Sequence, residues 1–204
     1  MKKRIGVLVS GGGTNLQALI DAQKSGIIKS GEIVTVVSNK HGVYALERAK
    51  NANISSTVIT KKECGSGEAF DVALRDYMVS QKVDIIVLAG FLAILGDGFL
   101  KEYSNRIINI HPSLIPSFCG NGMYGLKVHE AALDYGVKVT GATVHFVNEV
   151  VDGGKIIMQK AVYINENDTA ETLQKRVMEE AEWQILPKAV EMVCAERIDT
   201  NEHN

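Results

Sequence analysis

Asn109 and His111 stand two residues apart at the end of an apolar run, in Ile107-Ile-Asn-Ile-His-Pro-Ser-Leu-Ile-Pro116. In an extended strand, residues two apart point to the same side, so the amide and the imidazole would share a face. Two N–H donors aimed at one point are the groups that stabilise a developing oxyanion. An imidazole titrates near neutral pH, so it can also move a proton. A lone His is more often a satisfied structural residue. Here the amide neighbour, the strand end and the proline-rich stretch coincide, and they favour a site. Asp152, in Asp152-Gly-Gly154, falls in a short connection between two later strands, and alone it is an ordinary turn signal. Beside an imidazole, its carboxylate would orient the ring or a water and help pass a proton.

The second constellation is Val9-Ser-Gly-Gly-Gly-Thr-Asn-Leu16, between an apolar run and a helical pattern. Glycines let the backbone approach a phosphate, and the helix that follows supplies N–H groups and a positive dipole end. Gly12, Gly13, Thr14 and Asn15 are therefore candidates for holding a phosphate. A dinucleotide fingerprint fits poorly. Leu16 stands where its third Gly belongs, and the second strand ends in Ser38-Asn39-Lys40 rather than an acid. A monophosphate is preferred to NAD, and a tight turn with no ligand is the plainer alternative.

Short β-branched runs alternate with helical patterns and must carry these residues. Strands are expected at 5–9, 33–37, 56–59, 84–88 and 106–110, and helices at 14–24, 43–51, 69–81 and near 97–104. That order, with continuous apolar strands, predicts an α/β fold: a Rossmann-like, mostly parallel sheet flanked by helices. Pro112–Tyr124 has little periodicity and reads as a functional loop. A short helix near 128–133 follows. Strands at 138–147 and 155–163 are too closely connected for a crossover, which predicts a C-terminal antiparallel pair. A long C-terminal helix is expected from Asp168, with Glu171 as its capping-box partner. Leu173, Val177, Ala181 and Ile185 should form its buried face, and Pro187 should kink or restart it. The polar tail from Ile198 to Asn204 is expected to be frayed.

At roughly 150 residues per domain, the 204 residues predict one domain spanning 1–204. Its nucleotide- and phosphate-binding half would cover about 1–105, and its catalytic half about 106–197. With 22 basic and 24 acidic residues, the chain has no global basic field to attract nucleic acid. The longest apolar run, Ile85–Leu95, is too short to span a membrane. Lys2-Lys3-Arg4 before an apolar stretch faintly suggests a signal peptide, but the stretch ends at Ser10, which fits a buried strand. Cys64, Cys119 and Cys194 are odd in number and far apart, as free thiols of a cytoplasmic protein would be.

Taken together, Ser10-Gly-Gly-Gly-Thr-Asn15, Leu88-Ala-Gly-Phe91, Asn109-Ile-His-Pro-Ser-Leu114, Thr143-Val-His-Phe146 and Asp152-Gly-Gly154 resemble the formyltransferase family that uses 10-formyltetrahydrofolate. The resemblance covers nearly the whole chain. It implies Asn109, His111 and Asp152 as the catalytic trio. It further implies glycinamide ribonucleotide (5-phosphoribosylglycinamide) and formyl-folate as small-molecule substrates, in purine synthesis, with no metal. Glu182 would bind the ribose hydroxyls, and the backbone near Gly90 and Leu92 the glycinamide. Phe91, Leu92, Ala93, Ile94, Leu95, Asn109, Val147 and Val151 would line the folate site. Ala93 replaces an Arg common in relatives, Trp183 replaces a His, and the 117–125 loop is longer. No nucleic-acid or membrane partner is implied, and the oligomeric state stays open.

Other readings remain: a formyltetrahydrofolate hydrolase, a formyltransferase for another amine, a nucleotide-binding oxidoreductase, a non-enzymatic phosphoribosyl sensor, and a Cys119–His111 nucleophilic pair. The last lacks an activating cation near Cys119 in sequence.

Overall fold

The computed structural model of the chain describes residues 1–198. The tail beyond them, expected to be frayed, lies outside the described residues. Seven strands form one sheet in the order β3-β2-β1-β4-β5-β6-β7. They are β1 (Lys3–Val9), β2 (Gly31–Ser38), β3 (Ser55–Val58), β4 (Ile85–Leu88), β5 (Ile107–His111), β6 (Val139–Phe146) and β7 (Ile156–Tyr163). The first five pair in parallel, and β6 and β7 join antiparallel.

The continuous apolar runs reflect burial on both faces. Ile5, Val7 and Val9 of β1 enter one core, and Leu8 enters the other. The first core is closed by α1 (Thr14–Ser25), α2 (Tyr44–Asn51), α7 (Ala170–Val177) and α8 (Trp183–Cys194). The second is closed by α4 (Gly67–Ser80) and α5 (Asp97–Glu102), through Phe70, Leu74, Met78 and Phe99. The remaining helices are a single turn, α3 (Lys61–Cys64), which the sequence reading missed, and α6 (Leu126–Tyr135).

Two expectations for the C-terminal helix need correction. The cap is Thr169 and its capping-box partner is Thr172, because the Thr169 oxygen reaches the Thr172 N–H. Asp168 instead pairs with Arg176. Pro187 sits inside α8 and does not restart it. The irregularity lies just upstream, where Met178–Glu182 form a π-helical turn. The expected stripe is right: Leu173, Val177, Ala181 and Ile185 are all buried.

Candidate active site

The strand order reverses between β1 and β4. In an open α/β sheet, the crevice beyond the carboxyl ends of such neighbouring strands is where ligands bind. The glycine loop leaves β1 there, residues 89–96 leave β4, and residues 112–125 leave β5. A cavity of about 520 Å³ opens at this edge, and Asn109, His111, Asp152, Asn15 and Glu182 all line it.

β5 shows how the fold delivers a polar pair from an apolar strand. Ile108 and Ile110 pack into the first core, so Asn109 and His111 turn to the opposite face. On β6, Val144 and Phe146 join the same core, so Thr143 and His145 turn with them; the register sets Asn109 opposite His145 and His111 opposite Thr143.

His111 is buried, and its Nε2 lies 2.9 Å from the Phe118 carbonyl. A carbonyl only accepts, so in the neutral ring Nε2 carries the hydrogen and Nδ1 offers a lone pair. Nδ1 lies 3.6 Å from Asp152 Oδ2. Burial holds the imidazole below its ordinary value, although the Phe118 carbonyl and the Asp152 charge oppose this. Asp152 adopts a left-handed conformation, φ 56, in the turn between β6 and β7. The next residues must be small: a side chain on Gly154 would lie 1.8 Å from the Phe146 carbonyl. Burial pushes the Asp152 carboxyl up. The neighbouring His145, the Gly120 N–H at 2.8 Å and His111 more than offset this and hold it below the usual range.

The three loop glycines have different tasks. Gly13 is left-handed, φ 73, and a side chain there would meet Ala45 at 2.7 Å. Gly11 and Gly12 have no neighbour within 4 Å of an added side chain, so their backbone is open to a ligand. Gly13 caps α1 without a side-chain hydrogen bond, which suits an anion at the helix start. Asn15 donates from Nδ2 to Glu182 Oε2 at 2.6 Å. Burial raises the Glu182 carboxyl to about 7, and the Asn15 bond opposes it.

All eight residues assigned to the folate site line the cavity: Phe91, Leu92, Ala93, Ile94, Leu95, Asn109, Val147 and Val151. Gly12, Gly13 and Thr14 do not. Thr14 lines a separate groove between α1 and α8 and donates to Met178 Sδ. Within the backbone near Gly90 and Leu92, expected to contact the glycinamide, the Leu92 N–H donates to the Ser10 hydroxyl at 2.8 Å. Cys119 donates to the Pro116 carbonyl rather than pairing with His111, and burial together with the Asp152 charge pushes its thiol up, the opposite of activation. The sequence reading missed Gln174 and Met178 in the wall, and His145 between Asn109 and Asp152. For His145 the signal was present: it alternates with Val144 and Phe146 as Asn109 does with Ile108 and Ile110. Among the described residues, no group of three or more His, Cys, Asp or Glu is placed to hold a metal.

A family model described as formyl transferase matches residues 3–190. The trifunctional purine biosynthetic protein adenosine-3 of Chironomus tentans is 48% identical over 202 residues, covering 98% of this chain and 14% of that protein. The phosphoribosylglycinamide formyltransferase of Haemophilus influenzae is 42% identical over 196 residues, covering 96% of this chain and 89% of that one. The crystal structure of glycinamide ribonucleotide transformylase 1 from Symbiobacterium toebii superposes with a TM-score of 0.90 at 42% identity, covering 96% of this chain and 89% of the other. The chain spans only 14% to 19% of the length of its trifunctional relatives. No described helix is long and apolar enough to cross a membrane.

Proposed function

The chain belongs to the formyl transferase family, and on that premise we propose that it transfers the formyl group of 10-formyltetrahydrofolate to the amine of 5-phosphoribosylglycinamide. The products are the formylglycinamide ribonucleotide and tetrahydrofolate, in purine (IMP) synthesis in the cytoplasm. The observation that carries this reading is that one cavity joins a carbonyl-activating trio to a nucleotide handle: Asn109, His111 and Asp152 share it with Asn15 and Glu182. Its apolar wall of Phe91, Leu92, Ile94, Leu95, Val147 and Val151 suits a planar pterin, with a few polar groups to fix orientation. The open backbone at Gly11 and Gly12 and the uncapped start of α1 suit the phosphate, and the Glu182 carboxylate suits the ribose hydroxyls.

The neutral amine attacks the formyl carbon directly. Asn109 donates to the formyl oxygen as charge builds there. His111, buried and neutral with a lone pair at Nδ1, is set to take a proton. Asp152 at 3.6 Å then stabilises the imidazolium, and the proton passes on to the leaving nitrogen. Holding both substrates in one cavity supplies much of the rest by orientation.

The test is to follow deformylated folate with and without glycinamide ribonucleotide. Product that needs the amine supports transfer, and product formed equally fast without it means hydrolysis. Asn109→Ala and His111→Ala should each cost about 10²–10³ in kcat. The double variant should cost clearly less than the product of the two, because Asn109 and His111 act on one tetrahedral centre in one step. Full additivity would refute that joint action.

A further inference from the structure

Asn109 can serve an oxyanion only if its amide nitrogen, not its oxygen, faces the formyl oxygen. The two ends of an amide are nearly the same size, so packing alone selects between them weakly. His145 supplies a selection. It is 1% exposed, and its Nδ1 lies 2.8 Å from the Phe146 carbonyl. That carbonyl can only accept, so the ring's hydrogen sits on Nδ1. The neutral ring therefore presents a bare lone pair at Nε2, which lies 3.1 Å from Asn109 Nδ2. With the amide reversed, its oxygen would face that lone pair, acceptor against acceptor, out of reach of water. Asp152 Oδ1 stands 3.6 Å from the same Nε2, but a carboxylate oxygen has no hydrogen to donate, so the Asn109 N–H is the lone pair's donor.

We propose that His145 is a positioning residue for formyl transfer. Its ring, fixed in the Nδ1–H form by the Phe146 carbonyl, locks the Asn109 amide so that one N–H is spent on Nε2 and the other is free for the substrate oxygen. The chain of direction runs from a backbone carbonyl through an imidazole to an amide. It rests on the formyl-transfer reading of the site.

Two measurements test it. In ¹⁵N-labelled protein, long-range proton–nitrogen correlations should give His145 a hydrogen on Nδ1 and none on Nε2; a hydrogen on Nε2 would overturn the proposal without any appeal to activity. In kinetics, His145→Phe keeps a planar ring but removes the acceptor. It should lower kcat by about tenfold to a hundredfold, the scale of a misplaced catalytic group, with KM for both substrates nearly unchanged. His145→Gln, whose side-chain oxygen can accept from the same amide, should recover most of the loss. In an Asn109→Ala background, where no amide remains to orient, His145→Phe should cost less than about twofold. An equal loss in that background, or a raised KM with kcat intact, would overturn the role. Wild-type turnover in the same assay checks the formyl-transfer reading separately, so failure of one idea is not mistaken for failure of the other.

Discussion

Glu182→Gln is expected to make the ligand-free protein more stable at pH 8 and a poorer nucleotide binder at once. Glu182 is buried with one polar partner, the Asn15 amide, and its carboxyl is raised to about 7 from an ordinary 4.5. The fold thus binds this proton more tightly than the unfolded chain does. The contribution to stability is fully present below pH 4.5, is lost as the pH rises to about 7, and then levels off. At about 1.4 kcal/mol per tenfold in proton affinity, the ionised carboxyl costs the fold about 3 kcal/mol at pH 8. Gln keeps an oxygen for Asn15 and has no proton to lose. In urea unfolding, the two proteins should agree within about 1 kcal/mol at pH 5, and the variant should lead by about 3 kcal/mol at pH 8. The thermal midpoint at pH 8 should rise by roughly 6–12 °C for a chain of this size. Because an ionised acceptor bonds hydroxyls more strongly than an amide, the nucleotide KM should rise about tenfold. A stability gap that is the same at pH 5 and pH 8 would refute the linkage argument.

Gly12→Asp, with nothing within 4 Å of the added side chain, should leave the unfolding midpoint nearly unchanged while weakening nucleotide binding; folate titration should hardly move. Gly13→Ala should do the reverse, costing about 2 kcal/mol or more in unfolding experiments, from its positive φ and its 2.7 Å approach to Ala45. Cys119→Ser should keep turnover within about threefold of wild type, since direct amine attack forms no covalent enzyme intermediate. A formyl group found on Cys119 by mass spectrometry would contradict that.

The sheet was legible because its strands are buried on both faces, and such strands read as unbroken apolar runs. Asn109 and His111 stood out for the same reason, as polar residues breaking that rule on one face only. The glycine loop was legible as a loop, but not how its work divides. Gly13 is demanded by Ala45, a residue of another helix, and local spacing holds no trace of that contact. The cap of α7 was misread because Asp168 and Glu171 fit the pattern equally well until Arg176, eight residues on, claims Asp168. The Leu92 N–H bond to Ser10 could not be read because the two are 82 positions apart. The alternation of His145 with Val144 and Phe146 marked its face, but its partner Asn109 is set by the register between β5 and β6, which no single segment carries.

The Asn15–Glu182 bond joins residues 167 positions apart, so the order in which the chain is made matters. Asn15 leaves the ribosome early, and at about 5–20 residues per second its partner follows roughly ten to thirty seconds later. All seven strands end by Tyr163, so the sheet can be complete while the nucleotide handle is still missing. A chain cut short between Tyr163 and Glu182 would keep Asn109, His111 and Asp152 but lack the carboxylate that holds the ribose. Of the site's parts, the ribose handle is thus made last, after the sheet and the catalytic trio.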